Sequence, residues 1–175
     1  PLKGRILGHV NFPHPALAVQ HERSDAIVQA CDVSADALAV ARHNAQRHHL
    51  DVDFFQADVL RDPLAERATP PFDLVISNPP YIPDAEAPTL SADVREYEPA
   101  LALFTGSDAL RFYRVIVQQA PALLDQDGWL VLEVHAYYAD AVRDLFDTAR
   151  WCAVDIHDDL AGRSRVVVAR YTASG

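Results

Sequence analysis

Short apolar runs alternating with longer helical patterns constrain this chain more than any other feature. Ala26-Ile-Val-Gln-Ala-Cys31 is rich in β-formers and ends at Asp32. Ser34, a natural N-cap, opens a helical pattern from Ala35 to His49, in which Ala37, Leu38, Ala41, Ala45 and then Leu50 recur at helical spacing. Asp36 suits its first turn. Val52-Asp-Phe-Phe-Gln56 reads as a strand leading to Asp58, and Phe72-Asp-Leu-Val-Ile-Ser77 as a buried strand running into Asn78-Pro-Pro-Tyr81. Asp108 is placed to cap a helix from Ala109 to Leu124. Asp127-Gly128 makes a turn into a strand from Trp129 to Val134, and a helix follows at about Tyr138 to Ala149. Two strands close the pattern, Cys152 to His157 and Ser164 to Tyr171, with Gly162 in the turn between them.

Strands separated by helices of this length require right-handed crossovers and a mostly parallel sheet. The last two strands have only a short link and must pair antiparallel, because a parallel partner needs a crossover. The expectation is an α/β fold: a three-layer α/β/α sheet, mostly parallel, with an antiparallel C-terminal hairpin. A length of 175 residues suits one domain spanning 1–175. With half its residues hydrophobic and 23% charged, the chain is no disordered tail, collagen repeat or small disulfide scaffold. No apolar run reaches the ~18–20 residues that cross a bilayer, and Pro1 to Val10 does not read as a secretory signal. Fifteen basic against 25 acidic residues give a charge of −10, a poor basis for gripping phosphates. Cys31 and Cys152 lie in strand-like apolar runs and read as buried free thiols in a reducing compartment. The eight histidines show no metal-ligand spacing, so no metal is assigned.

In sheets of this kind ligands sit beyond the carboxyl ends of the strands. Asp32, Asp58 and Asn78 fall at those ends and should share one rim. Asp32 is placed to accept hydrogen bonds from both hydroxyls of a nucleoside ribose; the alternative is a loop carboxylate that caps a helix. Asp58 is placed to accept from an exocyclic amine such as adenine N6, with Val59 packing on the ring; the alternative is one surface acid among 25. Asn78-Pro79-Pro80-Tyr81 carries more information. Two prolines stiffen the loop and leave carbonyl acceptors without competing donors. The Asn78 side-chain carbonyl and the Pro79 backbone carbonyl can then accept both N–H bonds of a planar NH₂ group. Tyr81 offers a flat wall. Such positioning is the main rate lever for a weak nitrogen nucleophile.

These segments resemble the release factor glutamine methyltransferase family, within the class I S-adenosylmethionine-dependent methyltransferases. The likeness rests on Asp32-Val-Ser34 with Ala37 and Asn44, on Phe72 to Ile82, and on Val94-Arg-Glu-Tyr-Glu-Pro99 with Ala102 and Leu103. Gly106, Asp108 to Leu110, Tyr113-Arg114 and Asp159-Leu-Ala-Gly-Arg-Ser-Arg-Val-Val-Val168 complete it. It implies a Rossmann-like methyltransferase sheet with S-adenosylmethionine as cofactor, held by Asp32, Asp58, Val59 and Asn78. It implies a substrate-amide clamp at Asn78, Pro79, Pro80 and Tyr81, with methyl transfer to the glutamine of a Gly-Gly-Gln loop in a peptide chain release factor. The absence of an exposed apolar periodic face leads to the expectation of a monomer, and free cysteines, no signal peptide and a substrate made at the ribosome to that of a cytoplasmic location, without direct nucleic-acid or membrane contacts; the family's N-terminal helical substrate domain has no counterpart in these 175 residues.

The chain departs from that pattern twice. The family's first strand leads into Asp-x-Gly-x-Gly-x-Gly, whereas residues 5–19 here contain Gly8 alone and carry Phe12, Pro13 and Pro15. No cofactor residue is carried over from that segment. After the fifth strand, His135 stands where a glycine is usual and Tyr138 where a glutamine is usual. Two other readings stay open. One is an adenine-N6 nucleic-acid methyltransferase, which shares Asn-Pro-Pro-Tyr but needs a basic track. The other is a cofactor-deficient domain of the same fold.

Overall fold

The computed structural model describes residues 4–10, 14–89 and 103–172. Seven strands form one sheet: β1 (Arg5–Val10), β2 (Ile27–Asp32), β3 (Val52–Gln56), β4 (Phe72–Asn78), β5 (Leu124–Glu133), β6 (Trp151–Asp158) and β7 (Ser164–Tyr171). Their order is β3-β2-β1-β4-β5-β7-β6, parallel as far as β5, with β7 antiparallel to both β5 and β6. The helices are α1 (His14–Glu22), α2 (Ala35–Arg47), α3 (Leu64–Arg67), α4 (Arg111–Leu123) and α5 (Ala139–Arg143).

Side-chain alternation along the strands divides the core between the two faces of the sheet. Leu7, Cys31 and Val75 point to one face, under Tyr113, Ile116, Ala120 and Leu123 of α4 and Val142 of α5. Ile6, Val28, Ala30, Leu74 and Ile76 point to the other, against Ala16 and Val19 of α1. This is the expected three-layer arrangement. Ser34 caps α2 by accepting from the Ala37 N–H at 3.2 Å.

The chain departs from its periodicity in several places. The pattern over Tyr138 to Ala149 yields only a 3₁₀ turn (Ala136–Tyr138) and the short α5. Asp147 accepts from the Arg150 N–H at 2.9 Å and pairs with its guanidinium, which makes a turn instead of a helical step and delivers Trp151 into the core. Asp108 does not cap α4. Its Oδ1 accepts from the Leu110 N–H at 3.0 Å, two residues too early, and Leu110 stands at the N-cap. Asp127-Gly128 lies within β5 at an irregularity in the β4 pairing. Asp127 has φ 66°, and a Cβ on Gly128 would lie 3.0 Å from the carbonyl oxygens of both Phe72 and Asp125. The α3 helix and a 3₁₀ turn over Asp84–Thr89 had no signal in the periodicity.

Cys31 is buried as expected, and burial pushes its thiol up to about 12. Cys152 corrects the expectation: it is exposed, because β6 is an edge strand with much of its length open to solvent. Both thiols are free. Among the described residues no helix is long and apolar enough to cross a membrane.

Candidate active site

The sheet order reverses between β1 and β4. The chain runs β1 to β2 to β3 in one direction and resumes on the other side with β4. A crevice at the carboxyl ends of such strands is where open α/β sheets hold ligands. His9 pairs in register with Cys31 on one side and Ser77 on the other, and Val10 with Asn78. Asp32 and Asn78 are therefore level, two strand spacings apart, or about 10 Å. Asp58 follows the end of β3, two residues past Gln56. The structure brings the three polar groups to one rim.

Asp32 is 6% exposed. Its Oδ1 accepts from the Ser34 N–H at 2.7 Å, which stiffens the turn into α2, while its Oδ2 is buried without a hydrogen-bond partner. Burial pushes its carboxyl above the usual carboxylate range, against the lowering effect of the Ser34 and Val33 N–H groups. A buried carboxylate oxygen without a donor is costly, and a ligand hydroxyl would satisfy it. Half of the capping alternative is thus realised, since Oδ1 holds the helix entry and Oδ2 does not.

Asp58 and Val59 line a cavity of about 250 Å³ with Leu60, His9, Phe104 and Phe112. Asp58 Oδ1 accepts from the Leu60 N–H at 2.9 Å and Oδ2 faces Arg61 at 3.4 Å. Arg61 and Arg111 line it as well, so apolar surface is mixed with one carboxylate and two guanidinium groups, a lining that suits a flat, partly polar ring. Asp32, Asn78 and Tyr81 lie outside this cavity on the same rim.

Asn78 ends β4, and among the described residues its side chain makes no hydrogen bond. Pro79 and Pro80 are buried. Tyr81 is half-buried, its ring centroid 5.9 Å from that of His135, and burial first and Glu133 second raise its hydroxyl pKa. The next residue locks the loop. The Ile82 N–H donates to the Leu103 carbonyl at 3.0 Å, and the Thr105 N–H to the Ile82 carbonyl at 2.9 Å. The clamp is thereby tied to Phe104 and the cavity wall. Gly106 takes φ 78°, and its N–H donates to Asp84 Oδ1 at 3.1 Å. Thr105 is 3% exposed, and sequence reasoning missed it; the nearby Gly106 was the available signal. The Val94–Pro99 segment lies outside the described residues, as do 11–13 of the atypical segment. Among the described residues no three His, Cys, Asp or Glu side chains converge on a metal position.

His9 was also missed as a site residue. It is 6% exposed at the end of β1, with Nδ1 2.8 Å from Ser77 Oγ. Burial lowers its pKa to about 4, opposed by the charge of Asp58. It is therefore neutral near pH 7. Its folded pKa lies below its unfolded value, so the unfolded chain binds more protons between about pH 6.5 and 4, and stability falls as pH drops through that window. Urea unfolding should show about 2 kcal/mol less stability from this group at pH 5 than at pH 7.5. His9→Asn should remove that component, and an unchanged pH profile in the variant would assign it elsewhere.

The methyltransferase small domain family matches residues 15–93. The release factor glutamine methyltransferase of Geobacter sulfurreducens is 40% identical over 155 residues, which cover 89% of this chain and 53% of that protein. The corresponding enzyme of Chlorobaculum tepidum is 47% identical over 124 residues, which cover 70% of this chain and 42% of that protein. The chain spans about half the length of the curated relatives it matches. Among solved structures, a Streptococcus mutans methyltransferase in complex with SAH superposes with a TM-score of 0.64 at 15% identity, over 96% of this chain and 88% of that one. The fold is the Rossmann-like methyltransferase sheet.

Proposed function

We propose that this chain, which belongs with the release factor glutamine methyltransferases over the stretch it shares with them, transfers a methyl group to a glutamine side-chain nitrogen of a peptide chain release factor. One observation carries the reading. Asn78-Pro-Pro-Tyr81 stands at the topological switch point, level with a buried Asp32 carboxylate that has one oxygen unpartnered.

The residues fit the nucleoside half of S-adenosylmethionine. Asp32 Oδ2 lacks the donor that a ribose hydroxyl provides. Asp58 and Val59 line a cavity of about 250 Å³, with a carboxylate to accept from the adenine amine and apolar side chains to pack on the ring. Bound there, the cofactor supplies an electrophilic sulfonium methyl. The chain's own residues do the rest. An amide nitrogen is a poor nucleophile because its lone pair is delocalised, and no ordinary side-chain base removes its proton first. The carbonyls of Asn78 and Pro79 accept its two N–H bonds and fix the plane of the amide. As positive charge develops on nitrogen, those carbonyl dipoles stabilise it more than they stabilise the ground state. The proton leaves to solvent afterwards. Tyr81 walls the amide, and Pro79 and Pro80 keep the loop from relaxing. The reading carries with it one domain over 1–175, a cytoplasmic monomer, and a release factor as the protein partner.

The test is transfer of a tritiated methyl group by the full chain. Label should enter the glutamine of a release factor and not adenine in DNA. Label in DNA would favour the adenine-N6 reading. Calorimetric titration with S-adenosylhomocysteine completes the test, because absence of binding by folded protein would favour the cofactor-deficient reading.

A further inference from the structure

The two positions that depart from the family after the fifth strand build a surface of their own. His135 packs against Tyr81 on one side, with centroids 5.9 Å apart, and against Tyr138 on the other, at 5.6 Å. Tyr138 meets Tyr137 edge-on at 5.1 Å and 89°. Four rings thus run in series from the clamp outward to Tyr137, which is 82% exposed. The His135 Nδ1 accepts from the Tyr137 N–H at 3.3 Å and fixes the turn that presents that ring. Leu160, fully exposed, stands in the β6–β7 turn on the same rim. A tyrosine held this far into solvent by its neighbours offers rigid apolar area at little entropy cost, which is what a binding surface needs.

We infer that the Tyr81–His135–Tyr138–Tyr137 ring series is a docking ledge for the backbone of the protein loop that carries the methylated glutamine. The inference rests on the glutamine-methyltransferase reading. Its first ring belongs to the clamp, so a polypeptide with its glutamine between Asn78 and Tyr81 must leave across this rim. The ring-to-ring steps span the length of at most about five extended residues. Residues immediately flanking the glutamine therefore reach Tyr137. Glycines there let peptide planes lie flat on the rings, with no Cβ to hold them off. Charge favours a peptide over a nucleic acid. The arginines on this rim are paired, Arg163 and Arg165 with Asp159 and Arg143 with Asp140, and Asp158 adds negative charge.

The experiment is calorimetric titration of a release factor into the full chain saturated with S-adenosylhomocysteine. Tyr137→Ala should weaken release factor binding about tenfold, Tyr137→Phe should stay within twofold of the parent, and affinity for S-adenosylhomocysteine and the melting temperature should not move. Equal release factor affinity in Tyr137→Ala and parent overturns the ledge. A single-stranded oligonucleotide that binds the parent and loses affinity in Tyr137→Ala, when release factor binding does not change, overturns it in favour of a base-stacking platform. No release factor binding by the parent itself overturns the substrate reading, and the occupant of the ledge with it.

Discussion

Asn78→Ala is expected to lower turnover by at least about 100-fold, the scale on which one preorganised polar contact to a reacting centre acts. Affinity for S-adenosylhomocysteine should change by less than threefold. The split follows from position. Asn78 ends β4 with a side chain that makes no hydrogen bond among the described residues, so its removal empties the clamp without loosening the sheet. The adenine-side cavity is lined by His9, the segment after β3, the loop at Phe104–Gly106 and the start of α4, and does not include it. Single-turnover methyl transfer with cofactor in excess reads the chemical step directly. Turnover equal to the parent would take Asn78 out of the mechanism.

Asp32→Asn separates binding from stability with effects of opposite sign. Hydrogen bonds from ligand hydroxyls to a charged acceptor are worth ~1.5–3 kcal/mol, so affinity for S-adenosylhomocysteine should fall roughly 10- to 150-fold. The unliganded protein should become more stable. Burial raises this carboxyl's pKa in the fold, so the folded protein holds the proton more tightly than the unfolded chain does. The penalty for ionising it is absent below the ordinary carboxylate range and grows as pH rises through the raised value. Asparagine keeps the oxygen that accepts from the Ser34 N–H and removes the charge. Denaturant unfolding should show a gain in stability that grows as pH rises from the ordinary carboxylate range through the raised value. Lower stability with unchanged affinity would make Asp32 a capping residue and nothing more.

Much of this architecture was legible because it rests on periodicity. The buried runs at Ile27–Asp32 and Phe72–Asn78 are strands within a residue of where β-formers place them, and the short link at Gly162 dictated the antiparallel pair. The rim followed from topology, since three strand ends had to meet. What was hidden depends on contacts between distant segments. Nothing local to Cys152 says that β6 lies on the sheet edge, because that follows from β7 inserting beside β5. The hydrogen bonds from Ile82 to Leu103 and Thr105 span more than 20 residues and have no periodic signature. His9 read only as a missing glycine, and its bond to Ser77 appears once β1 and β4 are in register. The ring series was half visible. His135 and Tyr138 stood out as departures, but their alignment with Tyr81 needed coordinates.

The insertion of β7 has a consequence for the nascent chain. Strand β6 pairs with β7 alone, yet it is synthesised first. As β6 emerges from the ribosome it has no hydrogen-bonding partner, and Trp151, 2% exposed in the finished fold, has yet to meet Tyr171. The edge of β5 is open over the same interval. Only when Tyr171 has been made can the sheet grow by two strands together. A ribosome stalled before Ser164 would therefore hold an incomplete sheet with an indole covered by Phe146 but lacking Tyr171, a ready target for chaperones that grip exposed apolar side chains. The carboxyl rim would be unfinished as well, because Val134 receives its backbone partner from Arg165.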